Sequence, residues 1–529
     1  MIDSLREAAR NRLLRHADWR FLLPDPNPGT AVCFAEGLLA SAVTAIAGRV
    51  MTPDETPDNV DLSVAAEPDA RTLATAVAAL RPGGACYIEW RSPRRGVAAI
   101  TRRMEAAGLQ RVCCYWPWPP PRIASPKFWI PLASPEPLRY LRSADSPLMP
   151  PILRLDGRAL LVAFALADRL GIRYPICAVG EKPAGRPAEA RATIEGAPRW
   201  LAKALVGAWA AFDSGSLPDR IDWMLQTLGP RSVSKVVALA FEKSAASPRI
   251  VVKTARTPEA LDGLRRECAT LRSRGDTEFI EGIPRVLFVR EADSAFAVGE
   301  SAMRGVPLWR RLRPTSSAAL ALAATDWSAR FAASSTRPQP VVRAEWWDRL
   351  VRDPLDAFAA RYRDAIDPHL LARCRRHLEG LPDLPLVCEQ RDYGPWNILV
   401  DDAGALSVLD WESSEMRGLP ALDLIYFLAY HEFFLSGALK SGRLAAAYRS
   451  TLDPSSPAGQ LRQDCLTRYA DRVGIDARHF PALSMLTWIV HARGEHDRLR
   501  ADVGGDAPQT IGGSVFLQLW RETADAAKT

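Results

Sequence analysis

The 529-residue chain carries 68 Lys and Arg against 61 Asp and Glu, a formal charge of +7. So small an excess on so long a chain, with no basic block interleaved with aromatics, excludes a nucleic-acid footprint and reads as Arg-rich composition. Nine cysteines, odd in number and never spaced C-x-x-C, argue for reduced thiols in a cytoplasm rather than a disulfide frame or a zinc site. The opening residues, Met1 to Arg12, form a charged amphipathic pattern without the apolar core of a secretory signal. The longest apolar run of concern, Ala159 to Ala167, is too short to span a bilayer. The expectation is a soluble, cytoplasmic protein of more than one domain.

Up to about residue 185, short apolar strands alternate with Ala-rich helical stretches. Ala31–Phe34, Val60–Ala65 and Ala85–Trp90 have strand character, and Ala70 to Leu80 between the last two is helical in composition. Alternation of this kind predicts an α/β domain with a parallel, doubly wound, Rossmann-like sheet. The block Leu80-Arg-Pro-Gly-Gly-Ala-Cys-Tyr-Ile-Glu-Trp90, followed by Met104-Glu-Ala-Ala-Gly-Leu-Gln-Arg-Val-Cys-Cys-Tyr-Trp116, resembles the second half of a class I S-adenosylmethionine (SAM) methyltransferase. In that family a Pro-Gly-Gly turn precedes the fifth strand, then come a helix and the final strand pair. The resemblance implies a methyltransferase-like domain over residues 1–185.

The cofactor end departs from the family. Nucleoside-binding turns are glycine-rich so that backbone can approach the ligand, whereas here the turn reads Phe34-Ala-Glu-Gly37-Leu-Leu-Ala, with one glycine. Asp54, after the second strand, is an acid that could hold a ribose. SAM is therefore not expected, and the domain reads as degenerate, used for docking or substrate presentation. The aromatic and proline cluster Tyr115-Trp-Pro-Trp-Pro-Pro-Pro-Arg122, with Phe128-Trp-Ile-Pro131, is expected as a rigid loop covering the sheet; a stacking platform for a sugar or partner is the alternative.

Glu181-Lys-Pro-Ala-Gly-Arg-Pro-Ala-Glu-Ala-Arg191 marks a boundary by its Pro, Gly and charge. Residues 186–204 are expected as a linker, with Trp200 to Phe212 a lead-in helix, and a second domain over 205–529. Leu228 to Phe241 reads as loop then strand, and Arg249-Ile-Val-Val-Lys253-Thr as the next strand, so Lys253 closes a β-branched run. Thr257-Pro258 then opens a helix as cap and first-turn proline. On it Leu264, Glu267, Cys268 and Leu271 share one stripe, so Glu267 points inward. Arg285 to Arg290 and Ser294 to Met303 alternate like paired strands.

Further along, Cys388-Glu-Gln-Arg-Asp-Tyr-Gly-Pro-Trp-Asn-Ile-Leu-Val400 is followed by Asp-Asp-Ala-Gly-Ala-Leu-Ser-Val-Leu-Asp410-Trp. Ile398–Val400 and Leu406–Leu409 are strand-like, with Asp402-Ala403-Gly404 as turn material, so they predict a hairpin. A fold about the bond between Ala403 and Gly404 sets Asn397 opposite Asp410, with Asp392 in the loop just before. Carboxamide and carboxylate oxygens suit Mg2+, which leaves positions open for substrate phosphates. A neighbouring carboxylate can accept a hydroxyl proton.

This arrangement resembles the catalytic loop and metal-binding Asp of the protein-kinase-like fold, where H-x-D-x-x-x-x-N precedes D-F-G. It is closer to the aminoglycoside phosphotransferase and choline kinase branch, which has an Asp-Trp or Asp-Phe pair and a later Gly-x-Pro-x-x-Asp-Leu segment. Here these are Asp410-Trp411 and Gly418-Leu-Pro-Ala-Leu-Asp423-Leu. The resemblance implies an α+β, two-lobed kinase-like domain, with an N-lobe over about 220–305 and a C-lobe over about 306–529. It makes Asp392 the catalytic base, Asn397 and Asp410 the metal ligands, and Asp423 a brace of the loop. Lys253 would contact the α/β-phosphates and Glu267 would hold Lys253. The nucleobase would lie near Glu300 to Met303. Only Gly229 represents the glycine loop, so phosphate contacts there fall to Ser232 and Ser234. One departure stands out: the family's His, two before the catalytic Asp, is Gln390, which cannot carry charge.

The function so implied is an ATP- and Mg2+-dependent kinase acting on a hydroxyl of a sugar, amino-sugar or amino-alcohol type metabolite. The alternatives are a catalytically inactive kinase-like scaffold working by protein interaction, and a bifunctional methyltransferase-kinase. Tyr426, Phe427, Tyr430, His431, Phe433, Phe434, Trp488, His491 and Glu495, in later helices, read as core packing rather than as a box for a cationic substrate.

Overall fold

The computed structural model describes residues 10, 13–14, 16–55, 57–90, 96–119, 121, 125–142, 174–184, 194, 196–212, 218, 220–228, 235–275, 281–292, 295–336, 339–503 and 513–527. The apolar run at 159–167, the phosphate-contact candidates Ser232 and Ser234 with Gly229, and much of the expected linker lie outside them. The chain divides into two compact units, a sheet unit, Arg6–Leu264 with Arg285–Ala302, and a helical unit, Arg265–Pro284 with Met303–Thr529.

The strands of the sheet unit are β1 (Thr30–Phe34), β2 (Arg49–Met51), β3 (Val60–Ala66), β4 (Leu80–Trp90), β5 (Gln110–Trp118), β6 (Phe128–Pro131), β7 (Ile176–Glu181), β8 (Ile221–Gln226), β9 (Lys235–Glu242), β10 (Ile250–Ala255), β11 (Val286–Ala292) and β12 (Ala295–Ser301). All twelve join one sheet, in the order β11-β12-β10-β9-β8-β6-β5-β7-β4-β3-β1-β2. The run β2-β1-β3-β4 is parallel. Helices α1 (Gly37–Ile46) and α2 (Ala70–Ala78) fall between its strands, and α3 (Val97–Ala106) follows β4. Parallel strands need such crossovers, which cover both faces. Successive residues accordingly feed opposite cores. Ala31, Leu62, Val64 and Tyr87 enter one, Val32, Cys86 and Ile88 the other. Past β4 the pairing turns antiparallel, with β7 wedged between β4 and β5.

Two sequence expectations meet a different arrangement here. The aromatic block at 115–118 is not a covering loop. It forms the end of β5, with Tyr115 and Trp116 buried at 1% and 6% exposure on alternate faces, and pairs with Phe128–Pro131 as β6. Nor does the segment at 186–204 separate one sheet from another. β6 pairs with β8, Phe128 against Gln226 and Trp129 against Leu225, so two strand edges that would otherwise stand open close on each other. One core then runs from Trp19 and Phe21, through Trp200, Leu205 and Trp209 of α5 (Arg199–Phe212), to Trp223 and Val252.

Beside β8 sits a carboxyl pair. Glu136, on helix α4 (Pro135–Arg142), and Asp222 are 4% and 2% exposed, and each keeps one buried carboxylate oxygen with no hydrogen-bond donor among the described residues. Burial, and then Glu136, pushes Asp222 up to about 6 although Arg220 lies 2.8 Å away. A folded pKa above the unfolded one stabilises the protein below about pH 4, and that contribution is lost as pH rises through about 6. The melting temperature should therefore fall between about pH 4 and pH 7 by an amount that Asp222→Asn removes. Calorimetric scans giving parallel pH slopes for both proteins would show that the pair does not share a proton.

The helical unit holds a three-stranded sheet, β13 (Val306–Pro307), β15 (Ile398–Val400) and β16 (Leu406–Val408), and a two-stranded one, β14 (Val387–Glu389) with β17 (Glu415–Gly418). Helix α6 (Glu259–Gly275) leads into the unit, followed by α7 (Ser317–Ser335), α8 (Leu422–Leu435), α9 (Phe480–Val503) and α10 (Val515–Ala526). On α6 the expected stripe is buried, with Leu264 and Glu267 at 0% exposure and Leu271 at 1%. Nine of the fourteen residues of α8 are buried, as in a helix packed on nearly every side. No described helix is long and apolar enough to cross a membrane.

Candidate functional site

The hairpin expected from the sequence is present, one residue out of register. Ile398 pairs with Val408, Leu399 with Ser407 and Val400 with Leu406, so Asn397 faces Leu409, whose N–H donates to the Asn397 carbonyl at 2.8 Å. The reason lies in the turn. Asp401 and Ala405 pair through the Asp401 N–H and the Ala405 carbonyl at 3.0 Å, leaving a three-residue loop, Asp402-Ala403-Gly404. Gly404 takes φ +83°, the left-handed conformation that closes a three-residue hairpin loop. The Asp401 carboxylate fixes this choice by accepting from the Ala403 and Ala405 N–H groups at 2.9 and 2.8 Å. Asp410 therefore stands one step beyond the ladder, at φ +63°.

Gln390 links that step to the loop carrying Asp392. Its amide, 1% exposed, donates from Nε2 to the carbonyls of Leu409 and Asp410 at 2.9 and 2.6 Å. Its Oε1 accepts the Asp392 N–H at 2.7 Å. A neutral side chain thus makes three bonds in a dry place, and no charge is needed for them. Asp423 holds the same loop from beneath, accepting from the N–H groups of Gln390 and Arg391 at 2.6 and 2.8 Å. Burial, and then Glu389, pushes the Asp423 carboxyl up to about 7. The Gly418 of the Gly-x-Pro segment has a steric reason, because a Cβ there would stand 1.8 Å from Glu389 Oε1. Arg391, Asp410 and Ala421 are non-glycine residues at φ +64°, +63° and +69°. Strain gathered around a few carboxylates in this way is a mark of functional loops.

Asp392 is half-buried among polar and aromatic groups. Its Oδ2 accepts from Asn397 Nδ2 at 2.8 Å and from Trp396 Nε1 at 3.4 Å, and its Oδ1 from the Tyr426 hydroxyl at 3.4 Å. Asn397 Nδ2 also reaches the Asp392 carbonyl at 3.0 Å, which commits the nitrogen and turns Oδ1 into the oxygen left to serve as a ligand. Around Asp392 the rings of Trp396 and Tyr430 meet edge to face at 4.9 Å, and Tyr426 stacks on His491 at 4.0 Å. Tyr426, Phe427, His431, Phe433 and Trp488 are buried and serve packing, whereas Trp396, Tyr430, Phe434 and His491 are only partly buried. Trp309, 37% exposed, stacks on Phe434 at 5.6 Å. Sequence spacing did not single out Trp309 or Trp396, since neither belongs to an amphipathic pattern.

The remaining candidates fall as follows. The Glu267 carboxylate, fully buried, accepts the Trp411 N–H at 3.1 Å, so it fixes the residue after Asp410. Nearby, Thr270 and Ser414 share a hydroxyl hydrogen bond of 2.8 Å, and Arg266 donates to the Glu412 carbonyl at 2.7 Å. In the sheet unit, Lys253 of β10 pairs with Glu300 of β12 at 2.8 Å. Lys253 lies opposite Val298, which makes Glu300 its diagonal neighbour on one face of the sheet. Met303 follows β12 in irregular backbone and is partly buried.

Among the described residues no group of three or more His, Cys, Asp or Glu could hold a metal ion by itself. Asn397 and Asp410 provide one carboxamide and one carboxylate oxygen at the end of the hairpin. That donor set fits Mg2+ in the way such ions are held, by one or two protein oxygens plus phosphates and water.

No protein-family model and no curated protein matches the chain. Among solved structures it is similar to an ADP-bound aminoglycoside phosphotransferase, APH(2'')-Ib, at 11% identity, TM-score 0.35, over 60% of this chain and 98% of that one. It is also similar to a thermostable mutant of aminoglycoside phosphotransferase APH(4)-Ia with ADP and hygromycin B, at 15% identity, TM-score 0.35, over 59% and 96%. A third is aminoglycoside phosphotransferase APH(3'')-Id from Streptomyces rimosus with ADP and streptomycin, at 19% identity, TM-score 0.30, over 54% and 98%. Likenesses at TM-scores this low carry no inference for this chain.

Proposed function

We propose that the chain is an ATP-dependent kinase that transfers the γ-phosphate to a hydroxyl of a small metabolite of the sugar, amino-sugar or amino-alcohol kind. One observation carries this reading. Asp392 and Asn397 are bonded at 2.8 Å, and Gln390 ties their loop to the turn that presents Asp410. In this reading Asp392 accepts the hydroxyl proton while the hydroxyl oxygen bonds to the γ-phosphorus and the bond from phosphorus to the ADP oxygen breaks. Asn397 Oδ1 and the Asp410 carboxylate hold Mg2+, which neutralises phosphate charge when bound. In the same reading Lys253, held by Glu267 and with Glu300 at 2.8 Å, meets the α/β-phosphates, and the segment Glu300 to Met303 meets the nucleobase. Glu267 acts by setting the Asp410-Trp411 turn. The partly buried rings of Trp396 and Tyr430 offer a face for the acceptor.

For residues 1–185 the proposal remains a degenerate methyltransferase-like domain. The parallel run β2-β1-β3-β4, with β7 antiparallel beyond it, and the single glycine of the turn at Gly37 support it. The nine cysteines, odd in number and never spaced C-x-x-C, support placing the protein in a reducing cytoplasm.

Asn397 and Asp410 supply two oxygens and need the phosphates to complete a coordination shell. Mg-ATP should therefore raise the melting temperature by more than ATP or Mg2+ alone. Equal shifts from ATP with and without metal would remove the metal role of Asn397 and Asp410.

A further inference from the structure

The sheet unit contains a cavity of about 400 Å³ that the proposed phosphate chemistry does not use. It opens at the carboxyl ends of the parallel strands. Glu36 follows β1, Ala66 ends β3, Glu89 and Trp90 end β4, and Ile176 begins the antiparallel β7 at the same edge. After β1 the chain places β2 on one side and β3 on the other, so the strand order reverses here, and open α/β sheets bind small molecules outside such reversals.

The lining is specific in three ways. Trp19, Trp90 and Trp129 supply aromatic walls, with Trp19 stacked on Tyr87 at 4.1 Å. Glu36 and Glu89 supply two carboxylates beside the His16 ring, and among the described lining residues there is no Lys or Arg. The indole N–H groups of Trp19 and Trp129, side chains 1% exposed, have no hydrogen-bond partner among the described residues. Two orphaned buried donors on rings that line one cavity call for an occupant bearing acceptor atoms. Aromatic faces beside two carboxylates suit a cation. Glu89 is set in place, since the Tyr87 hydroxyl, which donates to its Oε1 at 2.9 Å, also lies 3.3 Å from Cys177 Sγ.

We propose that this cavity binds a small organic ammonium ion that also carries hydroxyl or carboxylate oxygens. The cation lies against the tryptophan faces and the Glu36 and Glu89 carboxylates, and the oxygens accept the indole N–H groups. The exposed Leu38 stands at the rim. The binding is independent of phosphoryl transfer, because every described lining residue belongs to the sheet unit and none of these is assigned to phosphate, metal or proton transfer.

The test is titration calorimetry on the full-length protein with choline and with 3,3-dimethylbutan-1-ol, its uncharged isostere. Choline should bind at least about tenfold more tightly than the neutral alcohol. Glu89→Gln, which still accepts from Tyr87, and Trp129→Phe, which keeps a ring but loses the N–H, should each weaken choline by about fivefold or more. Their Mg-ATP thermal shift should match that of wild type, which shows that they fold. Equal affinity for the alcohol, or wild-type choline affinity in both variants, places any binding elsewhere and overturns the proposal. Uptake of S-adenosylmethionine with no uptake of choline overturns it as well.

Discussion

Asp392→Asn is expected to slow the chemical step by on the order of a hundredfold or more while leaving nucleotide affinity close to that of wild type. The substitution keeps the size of the side chain and one oxygen for Asn397 Nδ2, 2.8 Å away, but removes the proton acceptor. It also sets an amide NH2 at the position of Oδ1, where the Tyr426 hydroxyl now donates, so the acceptor hydroxyl loses its alignment as well. Single-turnover rates at saturating Mg-ATP, alongside calorimetric affinities, separate the two effects. Lys253→Ala supplies the contrast, because a phosphate contact should weaken nucleotide binding together with turnover. If Asp392→Asn abolishes ATP binding, Asp392 is a structural residue and the assignment of base falls.

Much of this arrangement was legible in the sequence, because it rests on local pattern. The β-branched run up to Lys253, the Thr257-Pro258 helix start and the inward stripe through Glu267 depend on periods of two and 3.6 residues, which neighbours in sequence set. The hairpin was legible for the same reason, but its register was not. Whether Asp402-Ala403-Gly404 closes as a two- or three-residue loop depends on the Asp401 carboxylate and on Gly404 taking a left-handed φ, and one residue of difference turns Asp410 out of the ladder. The partners of buried charges were less legible still. Beside any other partner, Lys253 has Glu300 across a strand pair, and Glu267 accepts from the backbone of Trp411, 144 residues away; spacing did not report these two contacts, which are made by folding back. The union of the strand sets before and after residue 186 turns on the short β6, which has only four residues. In the sequence those residues resemble any aromatic, proline-rich loop.

Gln390 is the position at which the chain departs from the kinase-like pattern, and Gln390→Glu should be the most damaging single change in the loop. The glutamine Nε2 faces two carbonyl oxygens, at 2.9 and 2.6 Å, in a site 1% exposed. A carboxylate there loses both donors and turns negative charge toward the same oxygens, a loss of roughly 3 to 5 kcal/mol. The introduced acid relieves some of this by staying protonated, since one O–H can still donate to one carbonyl. Its pKa in the folded state must then lie above the unfolded value of about 4.3, so its relative stability is greatest below that pH and is lost as pH rises through the folded pKa. Urea unfolding of wild type and variant at pH 5 and pH 8 measures this directly, with the difference expected to widen at pH 8. A variant as stable as wild type at pH 8 would mean that Gln390 does not bind the loop to the Asp410 turn. The Asp392–Asn397 pair would then need another explanation for its placement.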